Sequence, residues 1–425
     1  MKHVSTKILR DKAVILSVIR TFGSLSRVDI NRLTHFRPST ISLLVRQMLK
    51  EGSIREAGTS NNPFGRKQVL LALQENLGYI VGIEFDPDFV TAAAMDLKPK
   101  ILSEVRENTF LAGGPAGLIR QLVACAKSVM IKAGFEGKKP LGVALADAGV
   151  VNSREGIAVH MADIDFWKEV PLKEVFEREC GCPFLLESNT RARTIAERAL
   201  GAGQMADNLI FIDYRAGIGA GIFADGRMIR GHVESAGEFG HTHVIQDGPA
   251  CKCGSFGCLE AMVGASAIGA RARRAVEQGG TSLVLELAGD IDKITGWTVL
   301  EAANQGDKMC MSLVEDVGQY LGLGIANLVN LFNPSVVILS SSMKLAGQLL
   351  LDRISWVVKR QSLRYSVENL DIRYGSLGDE SGVLGAGLVI LEHLFEIPAL
   401  KSPKFLVDPS PRIALSAASA GANKS

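Results

Sequence analysis

The chain has 425 residues, of which 47% are hydrophobic and 22% are charged, a composition typical of a globular protein with two or three domains. We do not expect a membrane protein, because the longest apolar region, residues 321–342, contains three Asn and one Pro and would span a bilayer poorly. The net charge of +2 is unevenly divided: residues 1–75 hold 13 Lys and Arg against 5 Asp and Glu, so they carry +8 and the remainder carries −6. A basic head on an acidic body indicates that the head binds nucleic acid.

The basic head contains three predicted helices. Apolar residues at helical spacing predict the first over about residues 7–22. Ser26 and Asp29 have the spacing of a capping box, which opens a short second helix. Pro38 fits the first position of a third helix, which ends at Gly52. The outer face of this third helix carries mainly polar side chains: Ser39, Thr40, Ser42, Leu43, Arg46 and Gln47.

The order of these elements is that of a winged helix-turn-helix. A short helix, a tight turn and a helix with a hydroxyl and arginine face form the reading unit, and two strands at residues 53–57 and 68–73 enclose a basic wing loop. We therefore expect the head to bind a double-stranded DNA operator. Hydroxyls and Arg contact phosphates or base edges, and Leu can touch a thymine methyl. The predicted DNA-binding residues are Ser39, Thr40, Ser42, Leu43, Arg46, Arg66 and Lys67.

After residue 76 the chain alternates strands with helices, and one pattern occurs twice. Residues 80–96 and 209–225 each read as a strand, an acidic residue, a turn and a second strand. The repeat predicts an α/β body of two similar lobes around a cleft. Such a body is similar to that of nucleotide-dependent sugar kinases, which place the phosphates of ATP between the paired turns. The first turn, 86–88, reads Asp-Pro-Asp, in which Pro87 has no N–H to donate and the two carboxylates repel phosphate. The second is glycine-rich, but Ala216 offers no hydroxyl, so we doubt that ATP binds productively.

A metal site is the most specific feature of the body. His241, Cys251, Cys253 and Cys258 have the spacing of a tetrahedral zinc site with one imidazole and three thiolates. Such a set leaves no open position for water, so we expect structural Zn²⁺. The alternatives are inert thiols or disulfides, and nothing in the sequence marks the chain as secreted. The apolar stretch at residues 13–19 is short and flanked by charges, so we expect a cytoplasmic protein with no membrane association.

Together these motifs resemble the ROK family (repressor, open reading frame, kinase), specifically its transcription-regulator branch. The resemblance covers about residues 8–396 and is most specific in residues 236–241 and 251–260, AGEFGH and CKCGSFGCLE. It implies a two-lobed, actin-like body of the sugar kinase/Hsp70-like ATPase fold, assembled as a homodimer or homotetramer. By position, it also implies a sugar site formed by Asn189, Glu238, His241 and Glu260, in which the His touches both metal and sugar.

The same resemblance shows where this chain departs from the family's kinases. Thr190 stands where the kinases have the Asp that accepts the proton of the sugar hydroxyl, and a threonine cannot act as that base. The kinases' phosphate loops and Gly-Gly pair are replaced by Asp-Pro-Asp, Ala216 and Ser340-Ser341. We therefore expect no kinase activity. Two acids, Asp147 and Asp163, replace neutral residues near the sugar site, and their negative charge disfavours a phosphorylated sugar unless a basic residue compensates.

The resulting prediction is a DNA-binding transcriptional regulator. It would repress carbohydrate-utilisation genes and sense a sugar or sugar derivative in a catalytically inactive cleft. Two alternatives stay open: a regulator controlled by a protein partner, and an ATP-dependent sugar kinase that carries a DNA-binding head. The expected segments are a winged helix-turn-helix at 1–74, a first lobe at 75–200 to which a helix at 381–396 returns, a second lobe with the zinc loop at 201–380, and a mobile tail at 397–425.

Overall fold

A computed structural model describes residues 6–60, 67–74, 78–135 and 137–395. The chain divides into two compact units, an N-terminal one that ends at Gln74 and a larger one over Glu75–Leu394. We call the first unit the head and the second the body. Arg66, most of the predicted wing loop and the predicted tail at 397–425 lie outside the described residues.

The described part of the head, residues 6–60 and 67–74, has three helices and three strands, and the predicted helices are confirmed. Its elements are α1 (Thr6–Phe22), β1 (Leu25–Ser26), α2 (Arg27–Thr34), α3 (Pro38–Glu51), β2 (Ile54–Thr59) and β3 (Val69–Leu73). The capping box forms, since Asp29 N donates to Ser26 Oγ at 3.2 Å and Ser26 N donates to Asp29 Oδ2 at 3.0 Å. Gly52 ends α3 in the left-handed conformation, with φ of 72°. The short strand β1, which pairs with β3, was not predicted.

The core of the head fixes which face of α3 is free. Ile41, Leu44, Val45 and Met48 are buried against α1 and the sheet, whose strand order is β1-β3-β2. Because these residues recur at helical spacing, the opposite face of α3 remains outside the head's core. Leu43 is 51% exposed on that face, and Ser39, Ser42 and Arg46 are exposed beside it. The head therefore has the element order and the free helix face of a winged helix-turn-helix.

The body begins with a lobe built on a five-stranded sheet, which we call the first lobe. Its elements are β4 (Ile80–Phe85), β5 (Phe89–Met95), β6 (Ile101–Asn108), α4 (Gly114–Lys132), β7 (Val143–Asp147), β8 (Val150–Asn152), β9 (Ile157–His160), β10 (Lys168–Pro171), α5 (Lys173–Cys180), β11 (Phe184–Ser188) and α6 (Asn189–Ala199). The main sheet has the order β11-β7-β4-β5-β6, and β8, β9 and β10 form a separate small sheet.

The second lobe repeats this plan. Its elements are β12 (Leu209–Tyr214), β13 (Ile218–Ala224), β14 (Arg227–Met228), α7 (Leu259–Val263), α8 (Ala265–Glu277), α9 (Leu283–Ala288), α10 (Gly296–Asn304), α11 (Lys308–Phe332), β15 (Val336–Leu339), α12 (Gly347–Gln361), α13 (Arg364–Val367) and β16 (Asp371–Tyr374), followed by α14 (Ser381–Phe395). The sheet order is β14-β13-β12-β15-β16. Both lobes therefore open with an antiparallel hairpin and continue with parallel strands, as the sequence repeat predicts.

Two helices tie the lobes to each other. The first, α14, follows the second lobe but packs on the first sheet, where a Cβ on Gly82 would overlap the carbonyl oxygen of Val383. The second, α6, lies between the lobes, and residues 191–197 are all buried. Its Glu197 accepts hydrogen bonds from the backbone N–H groups of Ser376 and Leu377, at 2.9 and 3.0 Å. The two-lobed actin-like prediction is confirmed. Among the helices of the described residues, none is long and apolar enough to cross a bilayer.

Candidate ligand cleft and metal centre

The four predicted metal ligands come together in the second lobe. The ligand atoms of His241, Cys251, Cys253 and Cys258 all lie within 4.8 Å of one another. His241 Nδ1 is 3.6 Å from Cys251 Sγ, and Cys253 Sγ is 3.8 Å from Cys258 Sγ. A zinc tetrahedron with Zn–S bonds of about 2.3 Å has S···S edges of about 3.8 Å and slightly shorter N···S edges. These two separations therefore match the edges of a zinc tetrahedron.

The loop around the thiols is shaped by glycines and backbone hydrogen bonds. Gly254 and Gly257 adopt φ values of 88° and 69°, which few other residues tolerate. The N–H of Cys251 donates to Ser255 O at 2.8 Å, so the chain folds back on itself around the second thiol, Cys253. A short 3-10 turn at Phe239–His241 supplies the imidazole, and α7 starts directly after Cys258. The loop and the turn thus bring the imidazole and the three thiols together.

The thiols affect one another because they are so close. Hydrogen bonds, chiefly that with the backbone of Ser255, lower the pKa of Cys253, whereas burial raises the pKa of Cys258 to about 12. Three thiolates cannot share such a small volume without a cation. The donor set, one imidazole and three sulfurs, fits a soft, tetrahedral divalent ion with a structural role.

Two carboxylates lie beside this centre, as the sequence predicts. The N–H of Ile218 donates to Glu260 Oε2 at 2.9 Å, which fixes Glu260 against the hairpin of the second lobe. Burial raises the pKa of Glu238, while the nearby His241 and Arg191 oppose that rise and Glu260 adds to it. Glu238, His241 and Glu260 therefore share one electrostatic environment. Such a group can accept the hydrogen bonds of vicinal hydroxyls.

The fourth predicted ligand-binding residue, Asn189, comes from the first lobe. It is the first residue of α6 and follows the cap Ser188, whose Oγ accepts from Arg191 N at 3.3 Å. The next residue, Thr190, packs on Gly219 of the second-lobe hairpin, two positions from the glycine that contacts Glu260. Asn189 thus lies at the start of the helix between the lobes, next to a residue that contacts the hairpin of the second lobe.

The two acids predicted to make the cleft negative have partners. Lys252 Nζ donates to Asp163 Oδ1 at 2.8 Å, and this pairing raises the pKa of Lys252. Asp147 is fully buried and accepts from Trp167 Nε1 at 2.8 Å and from Gly149 N at 2.7 Å, and burial raises its pKa to about 6. A basic residue therefore does compensate Asp163. The charge of Asp163 therefore does not disfavour a phosphorylated sugar.

The glycine-rich turn of the second lobe is occupied by the protein's own side chains. A Cβ on Gly217 would lie 2.8 Å from Glu260 Oε2, and one on Gly219 would lie 2.7 Å from Thr190 Oγ1. A Cβ on Gly221 would overlap Thr194 Oγ1. These glycines let α6 and Glu260 approach strand β13. Close packing accounts for them without any phosphate.

The position of the kinase base is also occupied by an internal contact. Thr190 Oγ1 donates to Asp213 Oδ2 at 3.1 Å, so its hydroxyl is directed at a neighbouring carboxylate. Ser340, in the Ser340-Ser341 pair that replaces the Gly-Gly expected from the resemblance, accepts through Oγ from Tyr214 N at 3.1 Å. Ser342, directly after that pair, donates from Oγ to Tyr214 O at 2.8 Å. The strand ends that would face a nucleotide are therefore bonded to each other.

A buried ion cluster, which sequence reasoning missed, joins the lobes at this end of the cleft. Arg193 of α6 donates from Nε to Glu84 Oε1 of the first lobe at 2.8 Å, and its Nη1 lies 3.4 Å from Asp213 Oδ1 of the second lobe. Burial lowers the pKa of Arg193, but the nearby carboxylates of Glu84 and Asp213 more than offset this effect, so the pKa is raised. The α6 sequence is polar enough to suggest a solvated helix. Only the packing of two lobes against it explains why its arginines are inside.

The comparisons with known proteins agree with this architecture. The sequence profile described as "ROK family" matches residues 80–393, which is most of the chain. The chain belongs to the ROK family. Among its ROK relatives, it is 27% identical to the xylose repressor of Caldicellulosiruptor bescii, over 91% of this chain and 97% of that protein. It is 26% identical to the DNA-binding transcriptional repressor Mlc of Escherichia coli, over 91% of this chain and 94% of that protein.

Solved ROK structures match either nearly the whole chain or a shorter part of it. A ROK family transcriptional regulator, described as a homologue of E. coli Mlc, superposes with a TM-score of 0.80 over 91% of this chain and 97% of its own, at 24% identity. A ROK family glucokinase from Streptomyces griseus, solved with glucose and AMPPNP, has a TM-score of 0.62 and 29% identity, and covers 73% of this chain and 99% of its own. The extra share covered by the regulator is about the length of the head.

Proposed function

We propose that this ROK protein is a DNA-binding transcriptional repressor that responds to a sugar or sugar derivative. The observation that carries the proposal is the pairing of a basic head with a ROK body, over the same 91% of the chain that matches named repressors. The exposed face of α3 offers hydroxyl, leucine and arginine side chains, which suit a major groove. The predicted contacts are Ser39, Thr40, Ser42, Leu43 and Arg46 on α3, with Lys67 and Arg66 from the wing.

The effector would bind in the cleft near the metal centre. Glu238, Glu260 and Asn189 would accept and donate hydrogen bonds to vicinal hydroxyls, and the imidazole of His241 would contact both the sugar and the metal. Support comes from the shared electrostatic environment of Glu238, His241 and Glu260. The effector must bind the repressing and released states unequally if it is to change operator affinity.

The metal would be zinc in a structural role. His241, Cys251, Cys253 and Cys258 would hold it, and the bound ion would brace the loop between Glu238 and Glu260 without exposing a reactive position. Fixing that loop keeps the two carboxylates at the separation that the effector needs. The Cys-rich loop would be loosely ordered without the ion, because the bonds that join its four ligand side chains would be missing.

A sugar kinase is the weaker reading of the same body. Catalysis would need a base at position 190 and open phosphate loops, whereas Thr190 bonds to Asp213 and the glycine run is packed against Thr190, Thr194 and Glu260. An assay for ATP-dependent phosphorylation over a panel of hexoses and amino sugars should therefore detect no product. Control by a protein partner is the other alternative, and it predicts that no sugar in the panel stabilises the protein.

The decisive experiment is selection of duplex sequences from a random library by the full-length protein, followed by release with sugars. We expect enrichment of one motif made of two half-sites, because the proposed repressor is a homodimer or homotetramer and each pair of heads would bind two half-sites. A thermal-shift screen of monosaccharides and amino sugars identifies the effector, which should then weaken binding to the selected operator. Failure to enrich any motif at low salt would overturn the DNA-binding proposal.

A further inference from the structure

A second polar cluster joins the lobes at the metal-centre end of the cleft, and neither the family's sugar contacts nor its metal site includes it. It consists of Glu187 and Arg191 from the first lobe and Arg230 and Glu234 from the second. Arg191 Nε donates to Glu187 Oε1 at 2.6 Å, and Arg191 Nη1 donates to the carbonyl oxygen of Glu234 at 2.6 Å. Arg230 Nη1 lies 2.5 Å from Glu187 Oε2. We call these four residues the interlobe latch.

Contacts cross between the lobes in both directions. In addition to the two arginine contacts, the backbone N–H of Ser153 in the first lobe donates to Glu234 Oε2 at 2.6 Å. Arg154 approaches the other oxygen of Glu234 at 3.6 Å from the surface. Each carboxylate of the latch therefore has partners from the opposite lobe. Separating the lobes here would break three close contacts at once.

The latch is buried and its formal charges balance. Glu187, Arg191 and Glu234 are 1%, 3% and 8% exposed, and only the side chain of Arg230 reaches solvent, at 36%. Ion pairs in such a place contribute more to selecting one arrangement than to overall stability, because desolvation offsets much of their attraction. Among the described residues, Arg191 Nη2 has no hydrogen-bond partner although it is buried. If the lobes separated, water could accept a hydrogen bond from this Nη2. That gain would offset part of the cost of opening the latch.

The latch acts directly on the segment that carries the predicted ligand contacts. Arg191 holds the carbonyl of Glu234, four residues before Glu238 and seven before His241. The intervening chain has little freedom, since Ala236 N donates to Arg230 O at 3.0 Å and Gly237 O accepts from Ala220 N at 2.8 Å. Glu234 itself has φ of 62°, a strained value for a residue with a side chain, and the surrounding bonds hold it there.

We propose that the interlobe latch positions Glu238 and His241, with Arg191 as the positioning residue, and so links closure of the lobes to the shape of the effector site. This inference rests on the proposed function only in taking these two residues as effector contacts. When the latch is closed, the segment 234–241 is held against the first lobe. When it opens, Glu238 and the first metal ligand move together with Glu234.

The test is hydrogen exchange of the full-length, zinc-loaded protein, with Arg191→Met as the principal variant. Methionine keeps much of the length of the side chain but removes every donor. We expect amides in 234–241 to exchange at least tenfold faster, and zinc to transfer to a colorimetric chelator faster, while amides of β12 and β15 keep their protection. The matched control is Arg198→Met on the same helix, where Arg198 pairs with Asp207 at 3.3 Å near the surface. That variant should change neither rate.

A second variant covers the case in which Arg191→Met does not fold. Arg230→Met alters a partly exposed member of the latch and should raise exchange in the same segment. Combined with Glu187→Gln, its effect should be less than additive, because both changes break one contact. Unchanged exchange in 234–241 in the folded variants, or additive effects in the double variant, would overturn the latch.

A sugar-binding measurement distinguishes failure of the latch from failure of the proposed function. The probe is the monosaccharide that most raises the melting temperature of the wild-type protein. Arg191→Met should weaken its binding at least tenfold, and Arg198→Met should leave it unchanged. Equal affinities for the wild type and Arg191→Met would overturn the positioning role. If no sugar stabilises the wild type, the effector proposal fails, and the exchange experiment still decides whether the latch exists.

Discussion

Replacing Arg193 by methionine should destabilise the body strongly. The side chain of Arg193 is 1% exposed, and those of its partners Glu84 and Asp213 are 8% and 5% exposed. The substitution therefore leaves buried Glu84 without its counter-charge and leaves Asp213 with only the more distant Arg215, at 3.8 Å. Removing one partner of a buried ion pair typically costs about 3–5 kcal/mol. A unit of the body's size has an unfolding entropy of roughly 0.7 kcal/mol/K, so the melting temperature of its transition should fall by about 4–7 °C.

The stability lost in Arg193→Met should depend on pH, and the direction of that dependence shows whether the unpaired carboxylate of Glu84 causes the loss. Burial raises the pKa of Glu84 above its usual 4.5, and Arg193 opposes that rise. Without the guanidinium the folded-state pKa rises further. A carboxyl whose folded-state pKa exceeds the unfolded value destabilises the fold increasingly as pH rises through that interval. The penalty should therefore be larger at pH 8 than at pH 5, because a carboxyl with a raised pKa is protonated to a greater extent at the lower pH.

Thermal unfolding followed by circular dichroism at pH 5 and pH 8 measures both effects. The control is Arg198→Met, since Arg198 lies on the same helix with a side chain 29% exposed and a partner, Asp207, 59% exposed. Exposed pairs of this kind contribute about 0–1 kcal/mol. The reasoning is refuted if Arg193→Met costs less than about 1 kcal/mol, or if its penalty is the same at both pH values.

Three further predictions concern the metal centre, the glycine run and the head. Cys251→Ser should reduce bound zinc from one equivalent to almost none by plasma mass spectrometry, whereas Cys182→Ser, outside the cluster, should keep the full equivalent. Gly221→Ala forces a methyl group into a threonine hydroxyl and should cost about 1–3 kcal/mol in denaturant melts; Gly117→Ala, with only ordinary contacts, should cost nothing measurable. Arg46→Ala should weaken operator binding by about 1–3 kcal/mol in anisotropy titrations, and an unchanged affinity would remove α3 from the interface.

Local patterns were sufficient to predict the helices of the head and the approach of His241 to the three cysteines. Capping and periodicity identify the head's helices, because Ser26, Asp29, Pro38 and Gly52 act through contacts within a few residues. The metal ligands lie within 18 residues of each other, so their spacing alone encodes their approach. The repeated hairpin predicted the two lobes for a related reason, since each hairpin is a local pairing that recurs in the second half.

The contents of the cleft could not be predicted in the same way. Arg193 pairs with a carboxylate 109 residues earlier, and Arg191 contacts a carbonyl 43 residues later. No periodic pattern encodes separations of that length. The glycine run shows the same limit: its spacing fits a phosphate turn, and only the position of α6 against β13 assigns it to packing. The small strand β1 was missed because two residues are too few to show alternation.

The affinity of the full-length protein for its selected operator, measured by fluorescence anisotropy with and without the stabilising sugar, tests the central claim most directly. The account predicts tight, salt-sensitive binding that the sugar weakens at least tenfold, with no ATP required. An affinity that no sugar changes, or a response that appears only when ATP is present and sugar phosphate accumulates, would contradict a body that senses without catalysing.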